Sequence, residues 1–105
     1  MRIIDKKTYL IISCKNLKDL NHLIHFLHHD IDKQMNLIIN LLQSNINETI
    51  IIDTLLPFSL NWEKQNKSFI LVSNIRRESL RGMMSIKSLE EAIDFFHMED
   101  LTRSI

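Results

Sequence analysis

Three short runs of consecutive apolar residues, YLII at 9–12, LII at 37–39 and FILV at 69–72, constrain the fold of this chain more than any other feature. A strand with one face in water alternates apolar and polar residues, whereas a strand covered on both faces is apolar throughout. Runs of the second kind call for a sheet with something packed on each side. The first of them, within "TYLIISC" at 8–14, is expected to be the central strand. Periodicity alone does not separate strand from helix for "MNLIINLL", and its length decides for a strand. "MRII" ahead of a polar "DKK" turn reads as a short first strand, and "MMSI" as a short last one.

Between these runs lie segments with helical spacing. Asn16, with Asp19 three residues on, is an N-cap signal, and Leu17, Leu20, Leu23, Ile24 and Leu27 follow through "NLKDLNHLIHFLHHD", which predicts a helix over 16–29. "SLEEAIDFFHMEDL" opens with Ser88 and Glu91 in capping-box positions and carries Leu89, Ala92, Ile93 and Phe96 on one face. The middle segment is contested. From Glu48, the residues Ile51, Ile52, Leu55, Phe58 and Trp62 recur at helical spacing, while the β-branched Ile50, Ile51 and Ile52 argue for a strand and Pro57 against an undisturbed helix. The favoured reading is a helix that begins at Glu48 and bends near Pro57. With "SNIRRESLRG" as a connection, the order becomes two strands, helix, strand, helix, strand, connection, strand, helix. Strands joined through helices require a largely parallel sheet. The expectation is one α/β domain over 1–105, a mixed sheet of about five strands with helices packed on it. No repeat, low-complexity tract or Pro/Gly-rich linker divides it.

Thirteen basic and thirteen acidic residues leave no net charge, which removes the main electrostatic argument for nucleic acid or an anionic membrane as the principal partner. A single cysteine, Cys14, forms no internal disulfide, so the expected compartment is the cytoplasm. "LIISC" at 10–14 has the look of a lipoprotein cleavage site, but its apolar run is too short for a signal core and Asp5 interrupts the basic flank. No stretch approaches the ~18 apolar residues of a membrane helix. With Gly82 as its only glycine, the chain lacks a P-loop and a dinucleotide fingerprint. The acidic strand ends that a receiver domain needs for Mg²⁺ are missing too.

The element order, together with "NLIINLLQSNINETIIID" at 36–53, resembles the STAS domain of the anti-sigma factor antagonist family, over nearly the whole chain. In that family a hydrophobic strand ending in Asp or Asn leads through a short loop to an acidic residue and a phosphorylatable Ser or Thr, which opens the second helix. "NLIIN" is similar to that strand, Glu48 falls at the acidic position and Thr49 at the phosphoacceptor position. "NKSFILVSN" is similar to the next strand, and "SLEEAIDFFHMEDL" to the closing helix of small bacterial members. The resemblance implies a regulatory module that is not an enzyme, uses no cofactor and binds a protein partner of the anti-sigma-factor kinase type, as a monomer or weak homodimer. It implies contact through Ser44, Asn45, Asn47, Glu48, Ile50 and Ile51, with phosphorylation at Thr49 as a switch. Two departures stand out. Ile50 and Ile51 replace the family's small residues after the phosphoacceptor, and residues 74–82 leave room for a turn or two where the family has its third helix.

Alternatives stay open beside this reading. A threonine at a helix start can cap the helix and do nothing else. The chain can be a STAS-derived accessory or structural subunit without the switch, and Phe95 and Met98, off the main apolar face of the last helix, mark either a contact surface or a broad buried face. His22, His25, His28, His29 and His97 suggest a small metal-dependent enzyme, with His25 and His29 four residues apart, but no Cys or carboxylate completes a site and a solvated face is the favoured reading. Arg76, Arg77 and Arg81 offer a phosphate or acidic-partner contact, or a solvated loop. Cys14 within a buried strand reads as a packing residue.

Overall fold

The computed structural model describes residues 1–30 and 35–104. Among them, β1 (Arg2–Asp5), β2 (Tyr9–Ser13), β3 (Asn36–Asn40), β4 (Phe69–Val72) and β5 (Met84–Ile86) form one sheet in the order β1-β2-β3-β4-β5. β1 runs antiparallel to β2, and β2 to β5 are mutually parallel. This is the mixed, largely parallel α/β sheet expected from the sequence, and it is compatible with a STAS-like fold. One expectation needs correction: β3, and not β2, occupies the middle. The β1–β2 hairpin occupies one edge, so each later crossover moves the chain one strand further from it.

Crossovers that all step in one direction put their helices on one face, because parallel connections are right-handed. α1 (Leu17–His25) and α2 (Glu48–Lys64) accordingly share a core with one set of alternating strand residues, Leu10, Ile12, Leu37, Ile39, Phe69 and Leu71. After β5, α3 (Leu89–Arg103) turns back across the other face. There Ala92 and Phe96 cover Tyr9, Ile11, Ile38, Ile70 and Val72. Both faces of the three apolar strands are filled, which is why their runs carry no polar interruption.

Local chemistry places the helix ends. Asn16 Oδ1 accepts from the Asp19 N–H at 2.9 Å, and Ser88 Oγ accepts from the Glu91 N–H at 3.1 Å, so both caps lie where the sequence predicts. The first helix reaches the expected length with a difference in its last part: Phe26–Asp30 widens into a π turn. The contested middle segment is helical from Glu48 to Lys64, with Pro57 inside it. Burial outweighs the β-branched preference there, since Ile51, Ile52, Leu55 and Trp62 are all buried against the sheet. Between β4 and β5 the connection holds, among the described residues, a three-residue 3₁₀ helix, Arg77–Ser79, in keeping with the turn or two expected there.

Candidate functional site

The loop from β3 to α2 turns sharply without glycine or proline, and short polar side chains take their place. Asn40 Oδ1 accepts from the Leu42 N–H at 3.1 Å and Ser44 Oγ from the Ile46 N–H at 3.0 Å, each closing a turn that a backbone carbonyl would otherwise close. Asn45 N–H donates to the Lys15 carbonyl at 3.0 Å and ties the loop to the start of α1. Ile46 is buried beneath it. Asn47 then caps α2, its Oδ1 accepting from the Thr49 N–H at 2.8 Å.

The cap therefore belongs to Asn47, and Thr49 is spare. Its hydroxyl is exposed on the first turn of α2 and has no hydrogen-bond partner among the described residues. Asn45, Asn47, Glu48 and Ile50 are exposed around it, while Ser44 is half-buried with its side chain committed to the turn. Ile51, at 3% exposure, packs into the core with Ile52 and Leu55 and reaches the corner only in the lining of a cleft beside Ser44 and Glu48. Ile50 stands 42% exposed beside Thr49.

Two clefts flank the corner. One, of about 290 Å³, lies between Glu48, Thr49, Ile52 and Asp53 of α2 and Glu78, Ser79 and Arg81 of the β4–β5 connection. Arg81 reaches across it to Asp53 at 3.4 Å, a pair exposed on both sides and so of small energetic weight. The other, of about 200 Å³, separates Ser44 and Glu48 from Ser73, Asn74 and Ile75 at the end of β4.

The remaining candidates are scattered. His22, His25, His28 and His29 are exposed on the first helical segment, with the His25 and His29 rings 4.7 Å apart and His28 edge-on to Phe58 at 4.9 Å. His97 packs against Tyr9 on the opposite face of the sheet and lies away from them. Among the described residues no three His, Cys, Asp or Glu side chains are arranged to hold a metal ion. Thermal melts recorded with and without a strong chelator are expected to coincide, and a melting temperature lowered by chelation would contradict this.

Cys14 is 1% exposed, and burial, with Asp19 beside it as a second cause, pushes its thiol up to about 11. At pH 8 only about one molecule in a thousand then carries the thiolate, the form that reacts. A disulfide reagent should leave the native thiol unmodified and label it at once in denaturant. Between the ordinary thiol value and about 11, the unfolded chain releases this proton while the folded chain keeps it. Stability should therefore fall as pH rises through that window, with no contribution from this group below it. Asp19 itself is held below the usual carboxylate range, chiefly by the hydrogen bond from the Met1 amino group and next by the Lys15 N–H.

On the last helix, Phe95 is half-buried against the second core while Met98 is 67% exposed, so the broad buried face takes in one and leaves out the other. The sequence reading missed a buried polar cluster at the opposite end of the sheet. Asn36 Oδ1 accepts from the Ser68 N–H at 2.8 Å and from Arg103 Nη2 at 3.2 Å, and its Nδ2 donates to the Thr8 carbonyl at 3.0 Å. Ser68 Oγ donates to Glu99 at 2.7 Å and accepts from Arg103 at 3.1 Å. The one available signal was an asparagine at the start of a strand otherwise apolar on both faces.

No described helix is long and apolar enough to cross a membrane. A scan against known protein families and a search of curated proteins give no match to this chain.

Proposed function

We propose that this chain is a STAS-like regulatory module that binds a protein partner through the corner between β3 and α2 and is not an enzyme. One observation carries the reading. Among the described residues, Thr49 presents an unbonded, exposed hydroxyl on the first turn of the helix that follows the middle strand, just after a loop whose turns are closed by Asn40 and Ser44 and whose end is capped by Asn47. A phosphate added there meets the positive end of the α2 dipole and changes the charge of a surface that a partner reads. Glu48, Asp53 and Glu78 already surround it with carboxylates, so the added charge alters the field strongly only for a partner that packs closely. The resemblance to anti-sigma factor antagonists supplies the partner class, an anti-sigma factor with serine/threonine kinase character.

The accessory-subunit reading is favoured by a different observation. α3 exposes Met98 at 67% and Leu101 at 68%, an apolar pair in the open. Peptide mapping by mass spectrometry of the chain isolated from its own cells separates the two. A phosphorylated fraction at Thr49 is expected under some growth condition. Its absence under every condition would leave the accessory subunit as the better reading.

A further inference from the structure

The positive charge of this neutral chain is unevenly placed. Residues 74–87 hold Arg76, Arg77, Arg81 and Lys87 against the single carboxylate Glu78. Arg81 faces α2, but the other three line a separate cleft of about 660 Å³, together with Glu78, Ser73, Asn74, Ile75, Met84 and Ser85. This cleft runs along β5, from Met84 at its start to Lys87 beyond its end, with Ser73 and Asn74 just past the end of β4.

Its walls are fixed. Ser73, buried at the end of β4, shares a short hydrogen bond with Ser85 of β5, and its Oγ also accepts from the Ile75 N–H at 3.3 Å. These bonds join both strands to the connection. The donors along the rim, by contrast, are uncommitted. Among the described residues the side chains of Asn74, Arg77 and Lys87 have no hydrogen-bond or ion-pair partner, and Arg76 has only Glu78 at 4.0 Å. Exposed Met84 and half-buried Ile75 supply an apolar wall between them.

We infer that this cleft binds a small phosphorylated molecule with an apolar portion, its phosphate held by Arg77 and Lys87 with Arg76 and Asn74 beside them. Arginine matches the geometry of a phosphate, and a concave site with an apolar wall and several uncommitted donors along its rim suits a small ligand better than a flat protein contact. The site does not involve Thr49, so it stands whether or not that residue is a switch.

Titration of the full chain with phenyl phosphate, followed by amide NMR, tests this. Saturable shifts are expected in the amides of residues 73–87, tighter than with inorganic phosphate and weakening as salt is added. The R77A/K87A double variant alters exposed side chains only, so it should melt as the parent does and bind about tenfold more weakly or worse. Unsaturable shifts, shifts centred outside residues 73–87, or equal binding by the double variant would overturn the inference. Tighter binding of tetraglutamate at the same amides would overturn it as well, by making the cleft a contact for an acidic peptide.

Discussion

Replacing Trp62 with Ala is expected to lower the melting temperature by about 12 °C or more, the largest effect of any single substitution proposed for this chain. Trp62 is fully buried between α2 and the sheet, edge-on to Phe69 with ring centroids 5.9 Å apart. Its indole N–H donates to the Met35 carbonyl at 2.9 Å, just ahead of the middle strand. Truncating a buried aromatic costs ~3–5 kcal/mol, and a domain of this size loses roughly 4–8 °C for each kcal/mol. Trp62→Phe keeps most of the apolar contact but strands the Met35 carbonyl, for a smaller loss of about 1–3 kcal/mol. Circular-dichroism melts of the two variants give the comparison. Equal losses would mean that the hydrogen bond, and not the packing, holds α2 in place.

Asn36→Leu is expected to cost about 2–4 kcal/mol even though it places an apolar residue at a buried position, because the Ser68 N–H and the Thr8 carbonyl lose their partner where water does not replace it. Arg103, which reaches Asn36 and Ser68 from the end of α3, loses one of its two acceptors in that cluster. Urea denaturation should show a lowered midpoint with an unchanged slope. Ser68→Ala keeps the backbone donor and should cost less. A more stable Asn36→Leu variant would mean that the cluster is dispensable and that α3 is held by Ala92 and Phe96 alone.

These two residues also mark how far the sequence could be read. The interior strands were legible because burial on both faces leaves a run with no polar interruption, and α1 and α3 were legible because Asn16 and Ser88 cap apolar stripes of helical period. α2 was harder. Ile50, Ile51 and Ile52 favour a strand locally, and only the burial of Ile51, Ile52 and Leu55 along one side of a helix settles the conflict. That same burial leaves Ile51 little exposed at the corner, where it lines a cleft beside Ser44 and Glu48. The position of β3 in the middle was not legible, because strand order depends on the path of the crossovers and not on the composition of any strand. Nor was the Asn36 cluster, whose members stand 32 and 67 residues away in the chain. The candidate corner was legible through its residue types, but the division of labour within it was not. The sequence offered Thr49 as a capping residue, and the hydrogen bond from the Thr49 N–H to Asn47 gives that role to Asn47.

Partner capture with Thr49 variants bears most directly on the proposed function. The chain carrying Thr49→Glu, Thr49→Ala or the paired change Met98→Ser with Leu101→Ser is used to capture its native partner, and each yield is compared with that of the unaltered chain. All of these positions are exposed, so the variants should melt as the parent does. A partner that reads the β3–α2 corner should be captured less by Thr49→Glu and almost unchanged by Thr49→Ala and by the α3 pair, with a modest Glu effect if the contact is loose, since Glu48 already places a charge next door. Capture that survives both Thr49 variants and is abolished by the α3 pair would contradict the corner as the contact and place it on the last helix.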